Sequence, residues 1–151
     1  MLSYGATKNG AIGGEAVVVL NPDAVVSTDA AAYLRKSSMQ AASKMRFVSA
    51  QIVALLEGDL WRRSASHANA MAARLAAAVR DVPGLEITQP VQANAVFAVL
   101  PPQVTARLQQ RAYFYTWNQA TGEVRWMTTF DTTEADIDAF AAMVREEMAR
   151  G

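Results

Sequence analysis

Lys8 stands in a run of small residues, GATKNGAIGG, that leads at once into the apolar segment AVVVL. Two readings of that lysine stand side by side. In one, Asn9-Gly10 is the preferred pair for a tight hairpin turn and the neighbouring amine is simply solvated. In the other, the glycines at 5, 10, 13 and 14 let a bulky group lie against the backbone, and an amine beside an apolar strand can lose its charge and attack a carbonyl. The spacing fits neither a P-loop nor a dinucleotide fingerprint, since Gly10 is followed by alanine and no GxGxxG is formed. Arg125, in EVRWMTTFD, is the next candidate. Its planar guanidinium is suited to two parallel bonds with a carboxylate, or equally to a surface ion pair of little worth. Arg46, in SKMRF, is a weaker candidate that also reads as part of a solvated face or a subunit contact, and His67 is the only imidazole.

These groups need elements to hold them. Residues 16–20 are apolar throughout, which suits a strand buried on both faces of a parallel sheet. Such a strand expects neighbours that the preceding fifteen residues do not supply, so the reading is of a larger domain cut through. From residue 28 to about 57 an alanine-rich stretch with Tyr33, Met45, Val48, Ile52 and Leu55 predicts one long helix, stopped at Gly58. A second helix is expected over 59–81, with Trp61, Ala65, Ala68, Ala72, Leu75 and Val79 on one side and Pro83-Gly84 as its end. Strands are expected at 95–100, 113–118 and 124–130, the last two joined by a hairpin turn at 119–122, with a short helix after Pro101-Pro102. The final helix begins near DTTE, with Ile137, Phe140, Ala141, Val144 and Met148 on one face. The aromatic group Tyr113, Phe114, Tyr115, Trp117 and Trp126 reads as core in preference to a binding platform.

Composition narrows the chemistry. Fourteen basic residues balance fourteen acidic ones in 151, so no global field draws the chain to nucleic acid or to an anionic membrane. With no cysteine, disulfides, thiolate nucleophiles and cysteine metal sites are excluded, and no carboxylates cluster at metal-ligand spacing. No apolar run has the length of a membrane span, and the expectation is a cytoplasmic protein.

The blocks LSYGATKNGAIGGEAVVVLNP, RKSSMQAASKMRFVSAQ, LWRRSASHANAMAARLA, PVQANAVF and EVRWMTTFDTTEAD, in that order, resemble the carboxy-terminal part of the low-specificity L-threonine aldolases. The likeness runs along essentially the whole chain. It implies an α/β parent of the aspartate-aminotransferase fold type (fold type I) that uses pyridoxal 5′-phosphate (PLP). Residues 1–27 then correspond to the end of the large cofactor-binding domain, 28–58 to a linking helix and 59–151 to a small α+β domain. The resemblance implies that Lys8 holds PLP as a Schiff base and that Arg125 grips the substrate α-carboxylate, with Arg46 near the site mouth and His67 structural. It also implies an amino-acid substrate, cleavage of L-threonine or L-allo-threonine to glycine and acetaldehyde, and a homo-oligomeric parent. The family's phosphate-binding loop, ring-stacking residue and pyridine-nitrogen acid have no match, so the chain alone is expected to be inactive. Another fold-type I lyase or aminotransferase, or a non-catalytic module acting through association, are the competing readings.

Overall fold

The computed structural model describes residues 1–21 and 27–151 and divides the chain into two compact units, residues 1–62 and 63–151. The stretch Pro22-Asp23, expected to follow the first strand, lies outside the described residues.

In the first unit β1 (Leu2–Gly5) and β2 (Glu15–Val18) form an antiparallel pair, with Leu2 opposite Val18 and Gly5 opposite Glu15. The expected parallel strand at 16–20, covered on both faces, is therefore corrected. An apolar run cannot by itself distinguish a buried parallel strand from one arm of a hairpin, and here Val17 is 60% exposed. The partner is the chain's own Leu2–Gly5, which carries a serine and a glycine and gives little strand signal.

The single helix expected from 28 to 57 is two. α1 (Thr28–Ser37) starts on Ser27, whose hydroxyl accepts the Ala30 N–H at 3.1 Å, and α2 (Met45–Leu56) follows after a break. The break is a Schellman end: Met39 takes φ +56°, its N–H reaches the Lys36 carbonyl, and the Gln40 N–H reaches back to Arg35. Ser37 helps to end the helix, because its hydroxyl donates to the Leu34 carbonyl. α2 ends as the sequence indicates, with Gly58 at φ +58°.

The second unit is α+β, as expected. α3 (Leu60–Val79), α4 (Pro102–Arg111) and α5 (Glu134–Ala149) cover one face of a four-stranded antiparallel sheet ordered β3-β4-β6-β5. Its strands are β3 (Glu86–Ile87), β4 (Ala95–Val99), β5 (Tyr115–Asn118) and β6 (Glu123–Met127). β3 has no counterpart among the sequence expectations, being two residues long. β6 is shorter than the expected 124–130, because Thr128 turns inward, donates its hydroxyl to the Ala68 carbonyl and its N–H to the Asn94 carbonyl, and accepts the Asn94 side-chain amide at its own carbonyl. The core joins Ala72, Leu75 and Val79 of α3 to Val96, Ala98, Val124 and Trp126 of the sheet and Leu108, Ile137 and Val144 of the other helices. Pro102 opens α4 where a missing N–H costs nothing. Thr133 opens α5 in a capping box with Asp136.

The aromatic group divides. Phe114, Trp126 and Phe140 meet edge to face in the core, whereas Tyr113, Tyr115 and Trp117 are exposed, which corrects the reading of all five as core. Alternation on an edge strand explains it: positions 113, 115 and 117 look away from the helices.

Candidate functional site

Lys8 lies in the connection between β1 and β2, on a single 3-10 turn formed by Thr7–Asn9. The bland reading of a hairpin corner is thus right about the hairpin and wrong about a tight turn. The connection spans residues 6–14 and closes through the buried Ala6, whose N–H donates to the Gly14 carbonyl at 2.8 Å and whose own carbonyl accepts the Asn9 N–H at 3.0 Å. Gly10 then turns the chain with φ +108°, a backbone that a side chain at this position would strain.

Two distant residues of the same unit brace this loop. The Gln51 side-chain carbonyl on α2 accepts the Ile12 N–H at 2.8 Å, and its amide NH₂ donates to the Phe47 carbonyl at 3.1 Å. The Asn9 side chain donates to the Trp61 carbonyl at 2.9 Å. Lys8 itself is exposed, so its amine stands on a loop fixed from both sides and open to an aldehyde. Arg46 is in the first turn of α2 and exposed. That turn carries no acidic residue and no side-chain cap, so Lys44 and Arg46 add positive charge to the positive end of the helix.

Arg125 belongs to the second unit, at the middle of β6, on the sheet face opposite the helices. Its neighbours Val124 and Trp126 are buried beneath it, as alternation expects. Phe97 of β4 and Tyr115 of β5 stand directly across from it. The Arg125 Cζ lies 4.2 Å from the centroid of the Trp117 ring, and that ring meets Phe97 edge to face at 5.7 Å. Glu123, two residues back on the same face, is engaged by the Thr88 hydroxyl and the Gln89 amide. Among the described residues no carboxylate pairs with Arg125, and its Nε is buried with no hydrogen-bond partner. The guanidinium is held by stacking while its charge is left uncommitted.

His67 has a structural contact, its Nε2–H donating to the Thr132 carbonyl at 2.7 Å and so tying α3 to the approach to α5. A concavity of about 330 Å³ lies on the helix-covered side, lined by Leu75, Trp126, Ile137 and Phe140, away from Arg125. Among the described residues no three His, Asp or Glu side chains gather as metal ligands, and no helix is long and apolar enough to cross a membrane. Sequence reasoning missed the brace of Gln51 and the stack of Trp117. Nothing local marks Gln51, but the alternation Tyr113, Tyr115, Trp117 against Phe114 and Thr116 was a readable sign that the first three share the open face.

No protein-family model matches the chain. It is 40% identical over 150 residues to a low specificity L-threonine aldolase of a Pseudomonas species, and 40% identical over 147 residues to that of Pseudomonas aeruginosa. These alignments cover 99% and 97% of the chain but only 42% and 40% of those relatives. Among solved structures, a Leishmania major threonine aldolase superposes with a TM-score of 0.81 at 25% identity, over 97% of this chain and 42% of its own. An inhibitor-bound glycine decarboxylase (P-protein) of the glycine cleavage system shares the fold alone, with a TM-score of 0.56 at 21% identity over 76% of this chain and 29% of its own. The resemblance read from the sequence is borne out, and the chain spans about two fifths of the length of the curated relatives it matches.

Proposed function

We propose that this chain contributes Lys8 and Arg125 to a PLP-dependent aldolase that cleaves L-threonine or L-allo-threonine to glycine and acetaldehyde. The observation that carries this reading is the 40% identity to low specificity L-threonine aldolases along 99% of the chain. The geometry of each unit agrees with it. A primary amine on an exposed, braced loop suits covalent attachment of an aldehyde, and an uncommitted guanidinium suits a carboxylate. Lys8 fits the cofactor in this respect.

When bound, PLP supplies the aldehyde that Lys8 engages and a pyridine ring able to take up the electron pair released from the substrate. Arg125 fixes the substrate carboxylate through two parallel N–H bonds, which sets the Cα–Cβ bond of the amino acid in one orientation. As that bond breaks the β-hydroxyl gives up its proton and acetaldehyde departs. The Lys8 Nζ, free while the substrate amine is engaged, would take up that proton and return one at Cα, giving glycine. Arg46 stands near the mouth of the site in this reading, as a peripheral cation.

Borohydride reduction of a complete, PLP-loaded aldolase that carries this chain fixes the cofactor to the amine that holds it. Peptide mapping should then find the label on Lys8, and Lys8→Ala should lose both label and acetaldehyde release from threonine. A label on Lys36 or Lys44 would show the assignment to be wrong.

A further inference from the structure

We infer that Trp117 is a positioning residue for Arg125, holding the guanidinium where a substrate carboxylate meets it. This rests on the reading of Arg125 given above and adds a residue that composition and alternation placed on no site.

The sheet is irregular at this residue. Thr116 pairs with Val124 and Asn118 with Glu123, so Trp117 is the extra residue of a bulge between β5 and β6. A bulge releases one residue from the pairing and re-aims its side chain, and it recurs beside functional groups for that reason. Here the unpaired residue carries the largest side chain, left 53% exposed on the open face, and its ring covers the Arg125 Cζ at 4.2 Å. Phe97, across from Arg125 on β4, meets the ring at 5.7 Å with the planes 70° apart, which fixes the ring in turn.

Two further features fit a prepared guanidinium and do not fit a random surface stack. The Nε–H is buried without a partner, an unmet bond that ordinary surface arginines avoid by turning to water. A carboxylate on the same face, Glu123 two residues back on β6, is engaged by Thr88 and Gln89. An aromatic ring supports a cation without quenching its charge or occupying its donors. A carboxylate partner would do both.

The test compares the full chain with Trp117→Leu and Trp117→Phe, using Arg125→Gln as reference and thermal melting to confirm folding. Solvent exchange of the Arg125 Nε–H, followed by NMR without cofactor, should quicken about tenfold in the leucine variant and stay near native in the phenylalanine variant, since only the latter keeps a ring. In a complete, PLP-loaded aldolase that carries this chain, the KM for L-threonine should rise about fivefold in Trp117→Leu, with kcat and cofactor absorbance little changed, and should recover in Trp117→Phe. Unchanged Nε–H exchange and unchanged KM in the leucine variant overturn the positioning role, as does a phenylalanine variant no better than leucine. Arg125→Gln separates this inference from its premise. If, in the complete aldolase, it binds threonine in preference to threoninamide as well as the native protein does, the carboxylate assignment falls, and Trp117 with it.

Discussion

Gln51 accepts the Ile12 N–H at 2.8 Å through its side-chain carbonyl, a bond that spans 39 positions and fixes the loop four residues beyond Lys8. The same amide donates to Phe47 one turn back on α2, so the side chain is anchored at both ends and cannot swing away from the loop. The bond ties the loop to α2.

Gln51→Met keeps length and bulk but removes the acceptor, and should cost about 1 kcal/mol of local stability. Amide exchange at Ile12 should quicken about tenfold, while exchange at Ala6, bonded independently to Gly14, should change little. Equal quickening at both amides would mean that the hairpin opens as a whole and that Gln51 is no specific brace.

Met39 holds a left-handed backbone at φ +56° with its side chain 90% exposed, so the conformation is strained and no packing compensates. Met39→Gly removes that strain at a smaller entropic cost in the unfolded chain, and a net gain of about 0.5 kcal/mol is expected. Slower amide exchange at Gln40, whose N–H closes the helix end on Arg35, would report it. Faster exchange would show that the side chain makes a stabilising contact after all.

Local rules carried the second unit and failed in the first. Helices α3 and α5 were legible because Leu75 and Val79, or Ile137 and Val144, recur at helical spacing and face one core. Arg125 was legible as an outward strand residue because Val124 and Trp126 flank it. The break at Met39 was not, since a methionine at positive φ contradicts its own propensity and is specified only by the bonds of Lys36 and Gln40. The pairing of Leu2–Gly5 with Glu15–Val18 was missed because a weak strand takes its identity from its partner. For the candidate site, residue types left Lys8 and Arg125 open and the resemblance pointed to them, but their supports come from 39 positions away in one case and from a bulge in the other.

Glu147 supplies the pH dependence. Its side chain is 1% exposed and lies among Arg107 and Arg111 of α4 and Arg150 beyond the end of α5, with contacts of 2.8, 2.7 and 2.9 Å. The Arg107 guanidinium, and after it Arg111, hold the carboxyl below its ordinary value of 4.5; Arg111 does the same for the adjacent Glu146. A carboxylate depressed in the folded state stabilises the fold above its unfolded value, and that contribution is lost as the pH falls through the lower, folded value. Glu147→Gln leaves three guanidinium groups around a neutral amide and should lower the melting temperature by several degrees at pH 7. As the pH falls below 4.5 and on through the lower folded value, the native carboxyl takes up its own proton, so the two melting curves should converge. A gap that stays constant from pH 7 down to strong acid would assign the loss to packing between α4 and α5, and the ionic account would fail.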